Sequence, residues 1–111
     1  FKIMAQIITS YDLSSGNTTA AAATNANNVR FQYTVTGATA GQVVHLRPKC
    51  SENDTEYDNV LNENKHPFDW VIQGDGTDSK HILAIGSAYV RLDVFCEGDC
   101  TGTLNVYTYE S

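Results

Sequence analysis

The chain is short of proline, of positive charge and of long apolar runs, and each shortage closes off a class of protein. Two prolines and eight glycines in 111 residues are too few for a collagen-like or low-complexity chain. Seven Lys and Arg stand against thirteen Asp and Glu, a formal charge of −6. That balance argues against a phosphate-tracking surface, since nucleic acids and anionic membranes are both held by clustered cations. Neither is expected as a partner. No apolar stretch approaches the roughly 18 residues that cross a bilayer, and no charged-then-apolar leader opens the chain. No window carries the apolar period of a long amphipathic helix.

Catalytic signatures are missing too. There is no G-x-S-x-G elbow, no H-E-x-x-H, no G-x-x-x-x-G-K-[ST] and no G-x-G-x-x-G following a strand, so no enzyme and no cofactor is expected. His45, His66 and His81 lie far apart with no C-x-x-C beside them, the spacing of ordinary histidines rather than of a structural zinc site. Asp54, Glu56 and Asp58 alternate in an acidic stretch. Counted from Asp54, however, a calcium loop would want glycine at Asn59 and glutamate at Lys65, so a solvated loop is the better reading.

What the chain does have is alternation. In 89–96, Val90, Leu92, Val94 and Cys96 alternate with Tyr89, Arg91, Asp93 and Phe95; in 103–109, Leu104, Val106 and Thr108 alternate with Thr103, Asn105, Tyr107 and Tyr109. A period of two marks strands with one face in a core, and the glycine-bearing segment between reads as a hairpin turn. An isolated hairpin is marginal in water, so earlier strands must cover it. Val29, Phe31, Tyr33 and Val35 give the same signal, and the turn at 37–41 suggests a second hairpin with the strand over 42–47, which Pro48 should end. Further strands are expected over 5–13, at an edge, over 68–73 and over 81–85. The segment 14–28, with its run Ala20, Ala21, Ala22 and Ala23, reads as a long polar loop, and 50–65 as a surface excursion pinned by Val60 and Leu61.

About seven or eight short strands without intervening helix predict an all-β antiparallel β-sandwich, jelly-roll or immunoglobulin-like, as one domain over 4–111. Residues 1–3, which precede Met4, are set aside as a possible remnant of cloning or processing. The expected core is Ile7, Phe31, Tyr33, Val35, Val44, Leu46, Trp70, Ile72, Leu83, Ile85, Val90, Leu92, Val94, Leu104 and Val106.

Two sets of residues stand out as candidate sites. An odd count of three cysteines cannot pair completely within one chain. A Cys96–Cys100 bridge would close a very small loop, fixing its shape more than stabilising the fold; Cys50 pairing with either, or three reduced thiols, are equal alternatives. Among the aromatics Tyr57, Trp70, Tyr89, Phe95, Tyr107 and Tyr109, those pointing outward offer rings to a sugar or to a protein partner.

Taken from 5 to 109, the pattern resembles small virion-associated β-sandwich proteins of tailed bacteriophages. The likeness is carried by V-R-F-Q-Y-T-V-T-G (29–37), G-Q-V-V-H-L-R (41–47), the polar S-E-N-D-T-E-Y-D-N-V-L (51–61), and above all A-Y-V-R-L-D-V (88–94) with T-G-T-L-N-V-Y (101–107). It implies a non-enzymatic structural or decoration protein in a virion, attached to a phage capsid or tail protein as repeated copies. A homo-oligomer is expected, a trimer first. Contact would run through Thr18, Thr19, Ala20, Ala21, Ala22 and Ala23 together with Tyr107 and Tyr109. The alternative is a carbohydrate-binding β-sandwich, on a tail fibre or secreted, presenting Tyr and Trp to a glycan.

Overall fold

In a computed structural model of the chain, residues 2–24, 26–84 and 86–110 are described. They form nine strands: β1 (Lys2–Asp12), β2 (Thr18–Ala23), β3 (Asn28–Thr36), β4 (Val43–Ser51), β5 (Asp58–Asn59), β6 (Trp70–Gln73), β7 (Gly76–Leu83), β8 (Tyr89–Cys96) and β9 (Thr103–Glu110), with one 3-10 turn at Leu13–Ser15. One antiparallel sheet, here sheet A, runs β1-β9-β3-β7; the other, sheet B, runs β2-β8-β4, with β5 and β6 sharing the far edge of β4. The all-β sandwich follows, and its strand order is that of a jelly roll.

The alternation assigns inward faces correctly over the longest strands. Val29, Phe31, Tyr33 and Val35 of β3, Val44 and Leu46 of β4, Val90, Leu92 and Val94 of β8, and Leu104 and Val106 of β9 are all buried. Trp70 lies in the same core, stacked on Tyr33 with ring centroids 6.4 Å apart and tilted against Phe31 and Phe68. That removes it from any surface set of sugar-stacking aromatics.

The two expected hairpins are not formed. β3 and β4 lie in different sheets, as do β8 and β9, so each connecting segment is a corner between layers. The corners lean on one another at one end of the sandwich. Gln42, itself buried, accepts at Oε1 from the backbone N–H of Thr101 (2.7 Å) and Thr39 (3.3 Å), and donates from Nε2 to the Thr101 carbonyl (3.0 Å). Gly102 has a φ of 99° and lies so close to the other corner that a Cβ there would sit 2.4 Å from the Thr36 carbonyl oxygen. The Leu13 N–H donates to the Gly102 carbonyl at 3.0 Å, tying the β1–β2 turn to the same hub.

Other departures have equally local causes. The segment 14–28 is not a loop throughout: Thr18–Ala23 pairs with β8, Ala20 opposite Leu92 and Ala21 opposite Arg91. Alanine is a poor strand former, so it is backbone pairing to an open sheet edge that makes this strand. β4 continues through Pro48 to Ser51. The Pro48 carbonyl accepts from Val60 N–H on the side away from β8, and the ring nitrogen shares that side, between the ends of β6 and β5, where no ladder bond is lost. In β7, Ile82 is buried at 2% exposure and Leu83 is 62% exposed, the reverse of expectation. The run H-I-L-A-I is apolar in both frames, and pairing with β3, Val29 opposite Ile82, selects one. Ile85 is outside the described residues. Ile8 is buried while Ile7 packs beside the core, because bulges in β1 shift its frame. Lys2 and Ile3, set aside above, pair with Glu110 and Tyr109.

Candidate functional site

The outer face of sheet A is tiled in rows fixed by strand register. Tyr109 of β9 lies beside Arg30 of β3, which lies beside His81 of β7. In the next row Gln6, Tyr107, Gln32 and Ser79 run across β1, β9, β3 and β7. Asn105, Thr34 and Thr77 form a third row, with the Thr34 and Thr77 hydroxyls 2.9 Å apart. Tyr107 and Tyr109 are both half-buried, and being two residues apart they sit roughly 6.6 Å from each other along the strand. Gln6 donates to Asn105 Oδ1 (3.1 Å), which also accepts from the Ser10 N–H (2.8 Å) at a residue with φ of 46°. The amide thus stiffens the β1 bulge next to the tyrosines. The face offers aromatic rings, amides and hydroxyls, the chemistry that stacks on and hydrogen-bonds to sugars.

The outer face of sheet B is built from charge. Arg47 pairs with Asp69 (3.4 Å), Lys49 with Asp93 (3.3 Å) and Arg91 with Asp93 (2.8 Å), while His45 sits between Asp69 (3.0 Å) and Glu97 (3.4 Å). Burial opposes ionisation of Asp93, but hydrogen bonds from Thr19, Arg91 and Lys49 outweigh it and hold the carboxyl below its usual value. The Arg47 guanidinium lies over Phe95, and that of Arg91 over Tyr57 at 4.3 Å. Tyr57 also donates its hydroxyl to Asp54; burial first and then this bond push the phenol up to about 12. The network crosses β2, β4 and β8 and ties the acidic excursion to the sheet. Phe95, though 40% exposed, packs against Arg47 and His45, and apart from Val71, 45% exposed, the groups of this face are engaged with one another.

The sequence-read contact set does not form one surface: Thr18 to Ala23 lie on the edge strand of sheet B, Tyr107 and Tyr109 on the face of sheet A. Cys96 and Cys100 do come together, both buried and both free thiols. Burial, then the neighbouring Cys100 thiol, push Cys96 up to about 12, and Cys100 Sγ lies 3.9 Å from the Val43 carbonyl. Burial also raises the Cys50 thiol. Cys50 stands at the opposite end, in a cleft of about 470 Å³ lined by Glu52, Glu56 and Asp58 among others. Among the described residues no group of three or more His, Cys, Asp or Glu gathers to hold a metal, and no helix is long and apolar enough to cross a membrane. Arg30, Gln32 and His81 were missed because polar positions of an alternating strand carry no signal until their neighbours across the sheet are known.

No family model and no curated protein matches the chain. Solved structures do. It shares its fold with carbohydrate-binding modules. A structure described as "CBM4 structure and function" superposes with a TM-score of 0.52 at 9% identity, over 82% of this chain and 56% of that one. The CBM22-1–GH10 modules of Clostridium thermocellum xylanase 10B, complexed with xylohexaose, superpose with a TM-score of 0.52 at 9% identity, over 98% of this chain and 28% of theirs. The enzymatically active domain of tailspike protein 4 from bacteriophage CBA120 gives 0.52 at 5% identity, over 82% of this chain and 12% of that one. This chain therefore spans little more than half of the first of these structures and far less of the other two.

Proposed function

We propose that the protein is a non-catalytic carbohydrate-binding β-sandwich that docks a glycan on the outer face of sheet A. The observation that carries this is the tandem of Tyr107 and Tyr109 on one face, set among Gln6, Gln32, Asn105 and Thr34 by register. Rings held by the sheet lose little freedom on binding, and consecutive sugar rings can stack on them while amides and hydroxyls bond their edges. The fold shared with carbohydrate-binding modules supports the reading. The test is a glycan array followed by calorimetry on Tyr107→Ala and Tyr109→Ala. Each ring contributes about 1 kcal/mol beyond its buried area, so each variant should bind roughly fivefold or more weakly while still melting cooperatively. Equal retention by wild type and the double variant would sink it.

A second reading, a structural subunit of a bacteriophage particle present in repeated copies, as a trimer first, is supported by the likeness of 88–107 to small virion proteins and by the fold shared with a phage tailspike domain. Mass spectrometry of purified particles decides it: peptides of this chain in intact virions support it, and their absence removes it. The localisation follows the outcome, virion in one case and extracellular in the other.

A further inference from the structure

We infer that the free edge of β7 is a docking surface for a second copy of this chain, which pairs its own β7 antiparallel and makes sheet A continuous across a twofold axis. Register and charge carry this, and it stands whether or not the face of sheet A binds a glycan. β7 ends the order β1-β9-β3-β7, and among the described residues no strand pairs with its far side. It runs from Gly76 to Leu83 without proline and keeps unbroken register with β3. The other edges suit pairing less: β1 is interrupted by bulges, β2 has six residues, and β5 and β6 have two and four. Every residue of β7 but Ser79 and Ile82 is exposed, so the strand overhangs the sandwich and its edge is open to a neighbour.

The backbone fixes which groups point outward. The Ala84 N–H donates to the Asn27 carbonyl at 2.6 Å, continuing the register of β3 with β7. Bonded and non-bonded pairs alternate along an antiparallel ladder. Gly76, Asp78, Lys80 and Ile82 therefore bond to β3, whereas Thr77, Ser79 and His81 turn their N–H and C=O groups to the free edge. The Ser79 N–H accordingly donates to the carboxylate of its own neighbour, Asp78, at 2.8 Å. A side chain stands in there for a missing strand.

The side chains then select one register. A twofold axis normal to the sheet keeps each face on its own side, so a residue meets only residues of its own alternation. Centring the pair on Asp78 or on Lys80 sets like charges directly opposite, which is destabilising. Centring it on Ser79 sets Asp78 opposite Lys80 of the second copy, twice. In that register Ser79 faces Ser79 and Thr77 faces His81 in bonded pairs, and the two Asp–Lys pairs fall at non-bonded positions, where side chains lie closest. A lone lysine on an edge resists pairing; alternating with Asp78, it admits one partner instead. Within one copy the same two groups are 3.7 Å apart and about half exposed, a contact that contributes little in water and is exchanged at little cost. The twofold contact uses up both edges, so association stops at the dimer, and both copies present the outer face of sheet A on the same side.

The test is sedimentation velocity on the purified protein from about 1 μM to about 1 mM, since edge pairing buries less than a standard interface and holds weakly. Wild type should shift toward a dimer as concentration rises, and less so in high salt. Lys80→Asp and Asp78→Lys, both at exposed positions, should each weaken association about tenfold or more, because each sets two like-charged pairs in the dimer. An equimolar mixture of the two variants should recover a one-to-one dimer, since every facing pair is then opposite in sign. Ser79→Pro, which removes an edge N–H that β3 does not use, should abolish the dimer; should that variant fail to fold, the charge variants still decide. Wild type that stays monomeric at about 1 mM, a trimer, a dimer indifferent to either charge variant, or a mixture that does not associate overturns the inference.

Discussion

Gly102 shows how much a single position decides. With φ at 99° and the Thr36 carbonyl 2.4 Å from where a Cβ would be, Gly102→Ala must push apart the corner that Gln42 staples. A cost of about 2 kcal/mol or more is expected, a fall in Tm on the order of 10 °C, read by thermal denaturation. Asp93 makes a prediction in pH. Its folded value is depressed, so the stabilisation is present above the unfolded carboxyl value near 4 and is lost as pH falls through the folded one. The Tm difference between wild type and Asp93→Asn should therefore be largest at neutral pH and shrink below about pH 4. Tyr107 and Tyr109 were legible at this scale because alternation alone turns them outward. Gln42 was not: nothing in G-Q-V-V distinguishes a glutamine that begins a strand from one whose amide bonds two other corners.

Alternation is a statement about one strand, and it held wherever one frame was apolar and the other polar, as in β3, β8 and β9. It failed where both frames were alike, in I-I of β1 and H-I-L-A-I of β7, and it could not see β2, whose alanines carry no preference. Nor does it say which sheet a strand joins, so corners passed for hairpins. β2 offers a direct check. Ala20 is opposite Leu92 and packs against the core, whereas Ala21 is opposite Arg91 and exposed. Ala20→Glu should cost about 2 kcal/mol or more by burying a carboxylate, and Ala21→Glu should stay within about 0.5 kcal/mol of wild type. Urea midpoints that shift equally for the two would mean that the segment is a loop after all.

For the molecule as a whole, the sandwich separates two chemistries: a self-neutralised ionic lattice on sheet B and an aromatic, amide-rich face on sheet A. That division was invisible in the sequence, since it depends on which strand lies beside which. The same order of strands has a consequence in time. β9 lies between β1 and β3 and is hydrogen-bonded to both, so β1 and β3 join one sheet only once the segment 103–110 has docked between them. Because loop closure over long separations precedes the contacts that reward it, refolding should be slow for a chain of this length, in the range of milliseconds to seconds.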